Sequence, residues 1–189
     1  MASAPLSDLI TPDTPTLGDP QAPVLIVEFS DFTCGYCGKF YRETLPQLKT
    51  NYIKNGKVRF AYRDYPRDEQ GLGLVGAHAA RCAGEQGRYW EMHDRIFEEA
   101  DRLGKGMLKR ALQDLRLKTD LFSMCMDSEK HIAAILADKK TGEGFGFRGT
   151  PGFVIARTDG KRISDLVRIP GAASYPVFQQ QIEKLLKKT

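Results

Sequence analysis

The apolar and polar positions in the first third of the chain predict a strand, a helix and a second strand. Residues 24–30 form a nearly continuous apolar run, which is typical of a buried strand. Residues 34–53 carry apolar side chains at helical spacing with Pro46 among them, which predicts a kinked helix. Residues 57–63 alternate between apolar and polar side chains, as a strand does. The proline-rich residues 1–22 predict an arm, part of which could add an edge strand.

The remainder of the chain predicts a helical block followed by a hairpin and a last helix. From about residue 67 to residue 147 the apolar positions recur with helical period, interrupted by glycines and short polar stretches. Asp159-Gly160 then separates two apolar segments, which is a strong signal for a β-hairpin. Residues 174–187 predict the final helix. This order indicates an α/β protein with helices inserted between its second and third strands.

The composition is that of a folded globular protein, with 41% hydrophobic and 28% charged residues. A length of 189 residues suits one domain, or one domain that carries an insertion. The net charge of +4 is small, and no basic cluster is interleaved with aromatic residues, so nucleic-acid binding is not indicated. No apolar run approaches the length of a membrane span.

Candidate chemistry is concentrated in Cys34-Gly35-Tyr36-Cys37, at the junction of the first strand and first helix. Free backbone N–H groups and the helix dipole at such a junction favour a thiolate. We expect Cys34 to be the exposed nucleophile at the helix start, and Cys37, one turn further in, to be the buried resolving thiol. Their spacing lets the second thiol attack a mixed disulfide that the first has formed. The motif therefore favours dithiol redox chemistry.

The alternative for this motif is half of a structural zinc site. Such a site usually has a second Cys or His pair at short spacing. Cys82 and Cys125 stand alone in the sequence, and His78, His93 and His131 form no tight pair with them. We therefore expect no metal here.

Three blocks of sequence resemble the bacterial DsbA-like thiol-disulfide oxidoreductases, most closely the branch that includes the Gram-positive BdbD proteins. Residues 17–37 resemble the region around the family's redox motif, residues 82–93 its helical insertion, and residues 149–153 its cis-proline loop. The blocks follow the family's order along nearly the whole chain. The resemblance implies a thioredoxin fold with an inserted helical subdomain, divided into an arm at 1–22, a thioredoxin domain at 23–66 and 148–189, and the insertion at 67–147.

The resemblance also implies roles for residues outside the motif. Burying a carboxylate in an apolar strand is costly, so the pKa of Glu28 should rise or its side chain should contact water. The family has an acidic residue at this position that relays the proton of the second cysteine, whereas a solvated edge carboxylate is the alternative. Asp31 is expected in the following loop, capping the helix or contacting solvent.

Thr150-Pro151 on its own is compatible with an ordinary turn. The resemblance implies a cis-proline that faces the cysteines, with the Thr150 backbone binding an extended substrate beside Gly35 and Tyr36. Cys82 and Cys125 lie on apolar faces of predicted helices and could be buried free thiols. The resemblance instead implies a structural disulfide, which also favours an oxidising compartment.

The function implied is that of a protein disulfide oxidoreductase that introduces disulfides into exported proteins. Its partners would be cysteine-containing protein substrates and a quinone-linked membrane protein that reoxidises the cysteines, with no cofactor. The bacterial oxidase DsbA, however, has Pro-His between its cysteines and valine before the cis-proline. Gly35-Tyr36 and Thr150 match the isomerase DsbC, so isomerase or reductase activity is the alternative. A soft-metal-binding module is a further one.

Two expectations concern the N-terminus. It has no signal-peptide pattern, and Met1-Ala2-Ser3 could replace a removed export signal, in keeping with a periplasmic or otherwise extracytoplasmic protein. The residues before the first strand are too few for the dimerisation domain of DsbC, which favours the oxidase.

Overall fold

A computed structural model describes residues 4–187. Its centre is a six-stranded sheet in the order β1-β6-β5-β3-β4-β2. The strands are β1 (Ala4–Pro5), β2 (Thr16–Leu17), β3 (Val24–Ser30), β4 (Val58–Asp64), β5 (Gly152–Thr158) and β6 (Arg162–Pro170). β3 pairs with β4 in parallel and with β5 antiparallel, and β5 and β6 form the predicted hairpin. The α/β thioredoxin fold predicted from the sequence is confirmed.

Eight α-helices surround the sheet in the described part of the chain. They are α1 (Gly35–Glu43), α2 (Leu45–Leu48), α3 (Leu72–Gly84), α4 (Tyr89–Glu98), α5 (Lys105–Asp114), α6 (Thr119–Ser128), α7 (Ile132–Gly144) and α8 (Tyr175–Leu186). Helices α3 to α7 lie between β4 and β5 in sequence. The division into a thioredoxin domain and an inserted subdomain stays a prediction. Within residues 4–187, no helix is long and apolar enough to cross a membrane.

β3 is buried along its whole length because both faces of the sheet are covered. Val24 and Ile26 share one core with Phe40 of α1 and Phe178 of α8, whose rings lie 5.4 Å apart between centroids. Leu25, Val27 and Phe29 face the opposite core. Side chains alternate across a strand, so Glu28 points to the same side as Ile26, towards α1.

The kinked helix predicted over 34–53 is divided into three consecutive helical segments. α1 ends at Glu43, α2 begins at Leu45, and residues Lys49–Ile53 form a wider π-helical turn. Pro46 lies in the first turn of α2, where its missing N–H leaves no helical bond unmade.

The arm is more integrated than the sequence indicated. β1 pairs with β6 at one edge of the sheet and β2 pairs with β4 at the other. Between them, Leu9 and Ile10 are buried in the core on the Phe29 face. Residues 1–3 of the predicted arm lie outside the described residues.

A buried ion-pair cluster joins the inserted helices to the sheet. Asp138 on α7 lies 2.6 Å from the guanidinium of Arg63 on β4 and 2.6 Å from that of Arg81 on α3. Arg81 also contacts Asp64, with 2.7 Å between Nε and Oδ2. All four side chains are buried, so the pairing compensates charges that would otherwise be costly to bury. This cluster holds α3 and α7 against the end of β4, next to the redox motif.

Candidate active site

The two motif cysteines lie where β3 passes into α1. Cys34 is the N-cap of α1, with extended backbone angles, and Cys37 lies within the first turn. The carbonyl of Cys34 accepts the amide of Gly38 at 3.0 Å, which leaves the earlier amides of the turn directed towards the Cys34 side chain. Both thiols are unpaired with each other in this structure, which therefore represents the dithiol form.

Cys34 is buried, with 5% of its surface exposed, so the prediction of an exposed nucleophile is wrong. The covering segment is the loop before β5, which comes from the far end of the chain. Within it, the Thr150–Pro151 peptide bond is cis, and the Cys34 thiol donates to the carbonyl of Thr150 at 3.4 Å. Tyr36 between the cysteines is 69% exposed and marks the open side of the site.

The two thiols differ in acidity. Hydrogen bonding from the Cys37 thiol lowers the pKa of Cys34 to about 5, and the Thr150 side chain and the amides of Cys37 and Tyr36 act in the same direction. Burial raises the pKa of Cys37, and the neighbouring Cys34 and Glu28 raise it further. At neutral pH the pair therefore consists of a Cys34 thiolate and a Cys37 thiol. A nucleophilic cysteine has to be a thiolate, and a resolving cysteine can stay protonated until it reacts, so these protonation states suit the two roles.

Glu28 is not a solvated edge carboxylate, because β3 lies inside the sheet and only 2% of the residue is exposed. Burial raises the pKa of Glu28 to about 8. Its Oε1 atom has no hydrogen-bond partner within residues 4–187. Glu28 therefore carries a proton at neutral pH on the side of the sheet that faces Cys37. Its role as a proton relay stays a prediction.

Asp31 was expected to cap the helix or contact solvent, and both expectations are wrong. It is 3% exposed, and one carboxylate oxygen accepts the amide and the hydroxyl of Thr33, each at 2.7 Å. The other accepts the amide of Arg67 at 2.8 Å. Asp31 thus fixes the loop that carries Cys34. An Asp followed two residues later by Thr is typical of a turn in which the Asp side chain accepts the later amide. No sequence pattern indicated that Asp31 also binds the amide of Arg67.

A groove lies along the cis-proline loop, in which Thr150 contacts Cys34. It is a surface cavity of about 390 Å³ that includes Gly149, Thr150, Pro151 and Pro170 among its lining residues. The loop comes directly before β5, and backbone at the end of a strand is a common place for an extended peptide to bind. Substrate binding by Thr150 and Pro151, and by Gly35 and Tyr36 across the site, stays a prediction.

Cys82 on α3 and Cys125 on α6 form a disulfide with 5.7 Å between their Cα atoms. The pair is buried among the inserted helices and is not two free thiols. His93 packs against the rings of Phe32 and Tyr62 at 5.6 Å and 4.8 Å. It therefore belongs to the aromatic core behind the motif.

Comparison with known proteins places the chain among thioredoxin-like proteins. The sequence model of the thioredoxin family matches residues 10–172. The crystal structure of alpha-DsbA1 from Wolbachia pipientis superposes with a TM-score of 0.84 and 30% identity, covering 95% of this chain and 94% of that one.

Two curated relatives extend this comparison. Disulfide bond formation protein D of Bacillus subtilis is 25% identical over 180 residues, which are 92% of this chain and 77% of that protein. A Salinispora tropica protein named Na(+)/H(+) antiporter NhaA 3 is 31% identical over 159 residues, 82% of this chain. The chain spans only 24% of that protein's length.

Proposed function

Because the chain belongs to the thioredoxin family and to its DsbA-like branch, we propose that it is a protein thiol-disulfide oxidoreductase acting outside the cytoplasm. Its proposed activity is to introduce disulfides into exported proteins through Cys34 and Cys37. The Wolbachia pipientis and Bacillus subtilis proteins named above support the class of chemistry. The supporting observation from this chain is the difference in acidity between the two thiols.

The proposed cycle begins with the Cys34–Cys37 disulfide. A substrate thiolate attacks the sulfur of Cys34, forming a mixed disulfide and releasing Cys37 as a thiolate. Cys37 takes a proton because its burial opposes the charge, and the protonated Glu28 beneath it is the proposed donor. A second substrate thiolate then attacks the substrate sulfur of the mixed disulfide and releases Cys34. Two electrons have passed from the substrate dithiol to the protein, and the substrate holds a new disulfide.

The low pKa of Cys34 favours this direction. A thiolate that is stable at neutral pH is a good leaving group from the mixed disulfide. A thiolate that stabilises the reduced protein also makes its disulfide a stronger oxidant. DsbA is a strong oxidant for this reason. A pKa of about 5 lies below that of thioredoxin, which is about 7, and above that of DsbA, which is about 3.5.

The decisive measurement is the reduction potential of the Cys34–Cys37 pair, determined by equilibration with glutathione in a Cys82→Ala/Cys125→Ala background. We expect a value well above the roughly −270 mV of thioredoxin, towards the roughly −120 mV of DsbA. A value at or below that of thioredoxin would exclude the oxidase. The Cys34→Ser variant should be inactive in oxidising a reduced peptide, whereas Lys39→Ser, on an exposed face of α1, should keep its activity.

One observation favours isomerase or reductase activity as a second candidate. Thr150 precedes the cis-proline and Gly35-Tyr36 separates the cysteines, which is the combination of the DsbC isomerases. Parallel assays on a reduced peptide and on scrambled ribonuclease compare the two activities directly. Faster oxidation of the peptide supports the oxidase, and faster recovery of ribonuclease activity supports the isomerase.

The proposed partners follow from the cycle. After each turnover the Cys34–Cys37 dithiol must lose two electrons to regain its disulfide. A membrane redox protein that passes electrons to a quinone is the proposed acceptor, and cysteine-containing exported proteins are the proposed substrates. An extracytoplasmic location fits both, and the Cys82–Cys125 disulfide supports it because such bonds persist in oxidising compartments.

A further inference from the structure

The second cysteine pair lies in a cluster of metal-ligating side chains that the sequence did not indicate. Ligand atoms of His78, Cys82 and Cys125 lie within 4.8 Å of one another, and all three residues are buried. A second such group consists of Glu85, Cys125 and His131 and shares the Cys125 sulfur. The rings of His78 and His131 lie 5.7 Å apart and meet edge to face. Two cysteines, two histidines and a carboxylate thus form two overlapping groups of potential ligands that meet at the Cys125 sulfur.

His78 has an unused coordinating atom in this cluster. The residue is 3% exposed, and its Nε2 atom is buried without a hydrogen-bond partner among the described residues. Buried polar atoms in proteins nearly always have a partner, so an unpartnered imidazole beside two sulfurs calls for an explanation. Imidazole nitrogen is a common ligand of protein-bound zinc.

Glu85 and His131 supply a fourth donor next to the sulfurs. The Nε2 atom of His131 lies 2.6 Å from Oε1 of Glu85, and the same oxygen lies 3.7 Å from the Cys125 sulfur. The other oxygen of Glu85 accepts from Lys130 at 2.8 Å. A carboxylate that orients a ligating histidine is a common arrangement around protein-bound zinc.

The two cysteines are buried, but both line a surface cavity. Its volume is about 320 Å³, and Glu85 and Met124 are also among its lining residues. An ion could therefore approach the pair through this cavity without unfolding of the surrounding helices.

We propose that reduction of the Cys82–Cys125 disulfide turns this cluster into a tetrahedral zinc site. Its ligands would be the two thiolates, the imidazole of His78 and one donor from the Glu85–His131 pair. Two thiolates with imidazole nitrogens are a typical ligand set for structural zinc. The disulfide form contains no thiolate, so the ion would bind only to the reduced protein.

The steps balance with a dithiol as reductant. The donor dithiol becomes a disulfide and passes two electrons and two protons to Cys82 and Cys125. Zinc then displaces the two thiol protons and binds both sulfurs. Reoxidation by a disulfide releases the ion and restores the bond. The second cysteine pair would thus couple zinc binding to redox state, separately from the exchange at Cys34 and Cys37.

The test uses a Cys34→Ser/Cys37→Ser variant, so that the second pair is the one available for thiolate binding. It is prepared in the oxidised form and, without oxygen, in the form reduced by a phosphine, and Zn²⁺ is titrated against a chromophoric chelator. We expect one zinc ion per reduced chain and none per oxidised chain. X-ray absorption of the zinc-loaded protein should show two sulfur ligands and at least one imidazole nitrogen.

Two histidine variants in the same background separate ligation from general effects. Loss of a partner of a ligand already costs about 10–100-fold in metal affinity, so His78→Gln should weaken zinc binding by about tenfold or more. His93→Gln removes an equally buried histidine from the aromatic core and should leave the zinc affinity unchanged. If the reduced variant loses its circular dichroism signal, zinc should restore it.

Three results would overturn the proposal. They are a reduced protein that binds no zinc or is not refolded by it, equal zinc affinity in the His78→Gln and parent variants, and an absorption spectrum without imidazole. None of these bears on the oxidase, because the variant lacks its active cysteines.

Discussion

The sulfur of Cys34 lies 3.4 Å from the carbonyl oxygen of Thr150, although 116 residues separate the two in sequence. The sheet accounts for this contact. β3 and β5 are antiparallel neighbours, with Phe29 opposite Gly152, so the residues that follow Phe29 and those that precede Gly152 meet at the same end. The same geometry covers Cys34 and brings the Thr150 side chain to a thiol that must ionise.

The first prediction concerns the acidity of Cys34. The rate of alkylation of the reduced protein should rise with pH through a midpoint near 5, because the Cys34 thiolate reacts and Cys37 stays protonated. The Cys37→Ser variant keeps a hydroxyl donor near the Cys34 sulfur and should show thiolate absorbance with a midpoint that is still well below 8.5. A midpoint near that of a free thiol in both proteins would show that the site does not activate Cys34.

The stability of the reduced protein should follow the same titration. The pKa of Cys34 is lower in the folded chain, about 5, than its ordinary value of 9.0. Ionisation therefore stabilises the fold fully above pH 9 and ceases to do so as the pH falls through about 5. In the Cys34→Ser variant this part of the pH dependence of unfolding should disappear, whereas the oxidised wild-type protein should lack it from the start.

The second prediction is that Thr150→Val raises the pKa of Cys34 and makes the disulfide less oxidising. The Thr150 hydroxyl has no hydrogen-bond partner among the described residues, so it is available to a Cys34 thiolate, whose pKa the Thr150 side chain lowers. Valine has nearly the same shape but no hydroxyl. Thiolate absorbance against pH and equilibration with glutathione measure the two effects. Thr141→Val, whose hydroxyl bonds within α7, is the matched control and should change neither. An unchanged pKa of Cys34 in Thr150→Val would show that the Thr150 hydroxyl does not stabilise the Cys34 thiolate.

The sequence predicted the elements whose patterns are local. The apolar run at 24–30 coincides with β3, and Asp159-Gly160 marks the turn between β5 and β6. The sequence did not predict the burial of residues that are covered by segments far away in the chain. Cys34 is buried by a loop over a hundred residues away, and the buried carboxylate of Asp31 accepts the amide of Arg67 from beyond β4. Such contacts depend on packing, which the local pattern of one segment does not contain.

The histidine cluster shows the same limit. His78 and Cys82 are four residues apart on α3 and share one face, which a helical reading can detect. Cys125 and His131 join them only because α6 and α7 pack against α3. The sequence therefore did not predict that His78 and Cys82 lie near Cys125, or Cys125 near His131.

The third prediction concerns Glu28. If Glu28 supplies the proton that Cys37 takes up, Glu28→Gln should slow formation of the mixed disulfide at neutral pH by roughly 10²-fold, a common contribution of a general acid. Stopped-flow mixing of the oxidised protein with a thiol peptide measures this step. Glu43→Gln, at the exposed end of α1, should have no effect. Equal rates for the two variants would assign Glu28 a structural role.

Glu28→Gln should also change how the free energy of unfolding depends on pH. The direction of the change follows from the burial of Glu28, which raises its pKa. The pKa of Glu28 is about 8 in the folded chain, raised from its ordinary value of 4.5. The wild-type protein therefore loses stability relative to Glu28→Gln as the pH rises from about 4.5, and the loss is complete above about 8. Denaturant unfolding of both proteins across this range measures the difference. A constant difference would mean that Glu28 is ionised in the fold.

The last prediction concerns the Cys82–Cys125 bond, which closes a loop with a sequence separation of 43. In the chain-entropy model a loop of this size contributes about 4 kcal/mol, so Cys82→Ala/Cys125→Ala should lower the free energy of unfolding by about that amount. The reduction potential of Cys34–Cys37 should not change, because neither residue contributes to the acidity of Cys34. Urea unfolding and glutathione equilibration of the variant test both statements. A shifted potential with unchanged stability would mean that the second disulfide tunes the redox site and does not stabilise the fold.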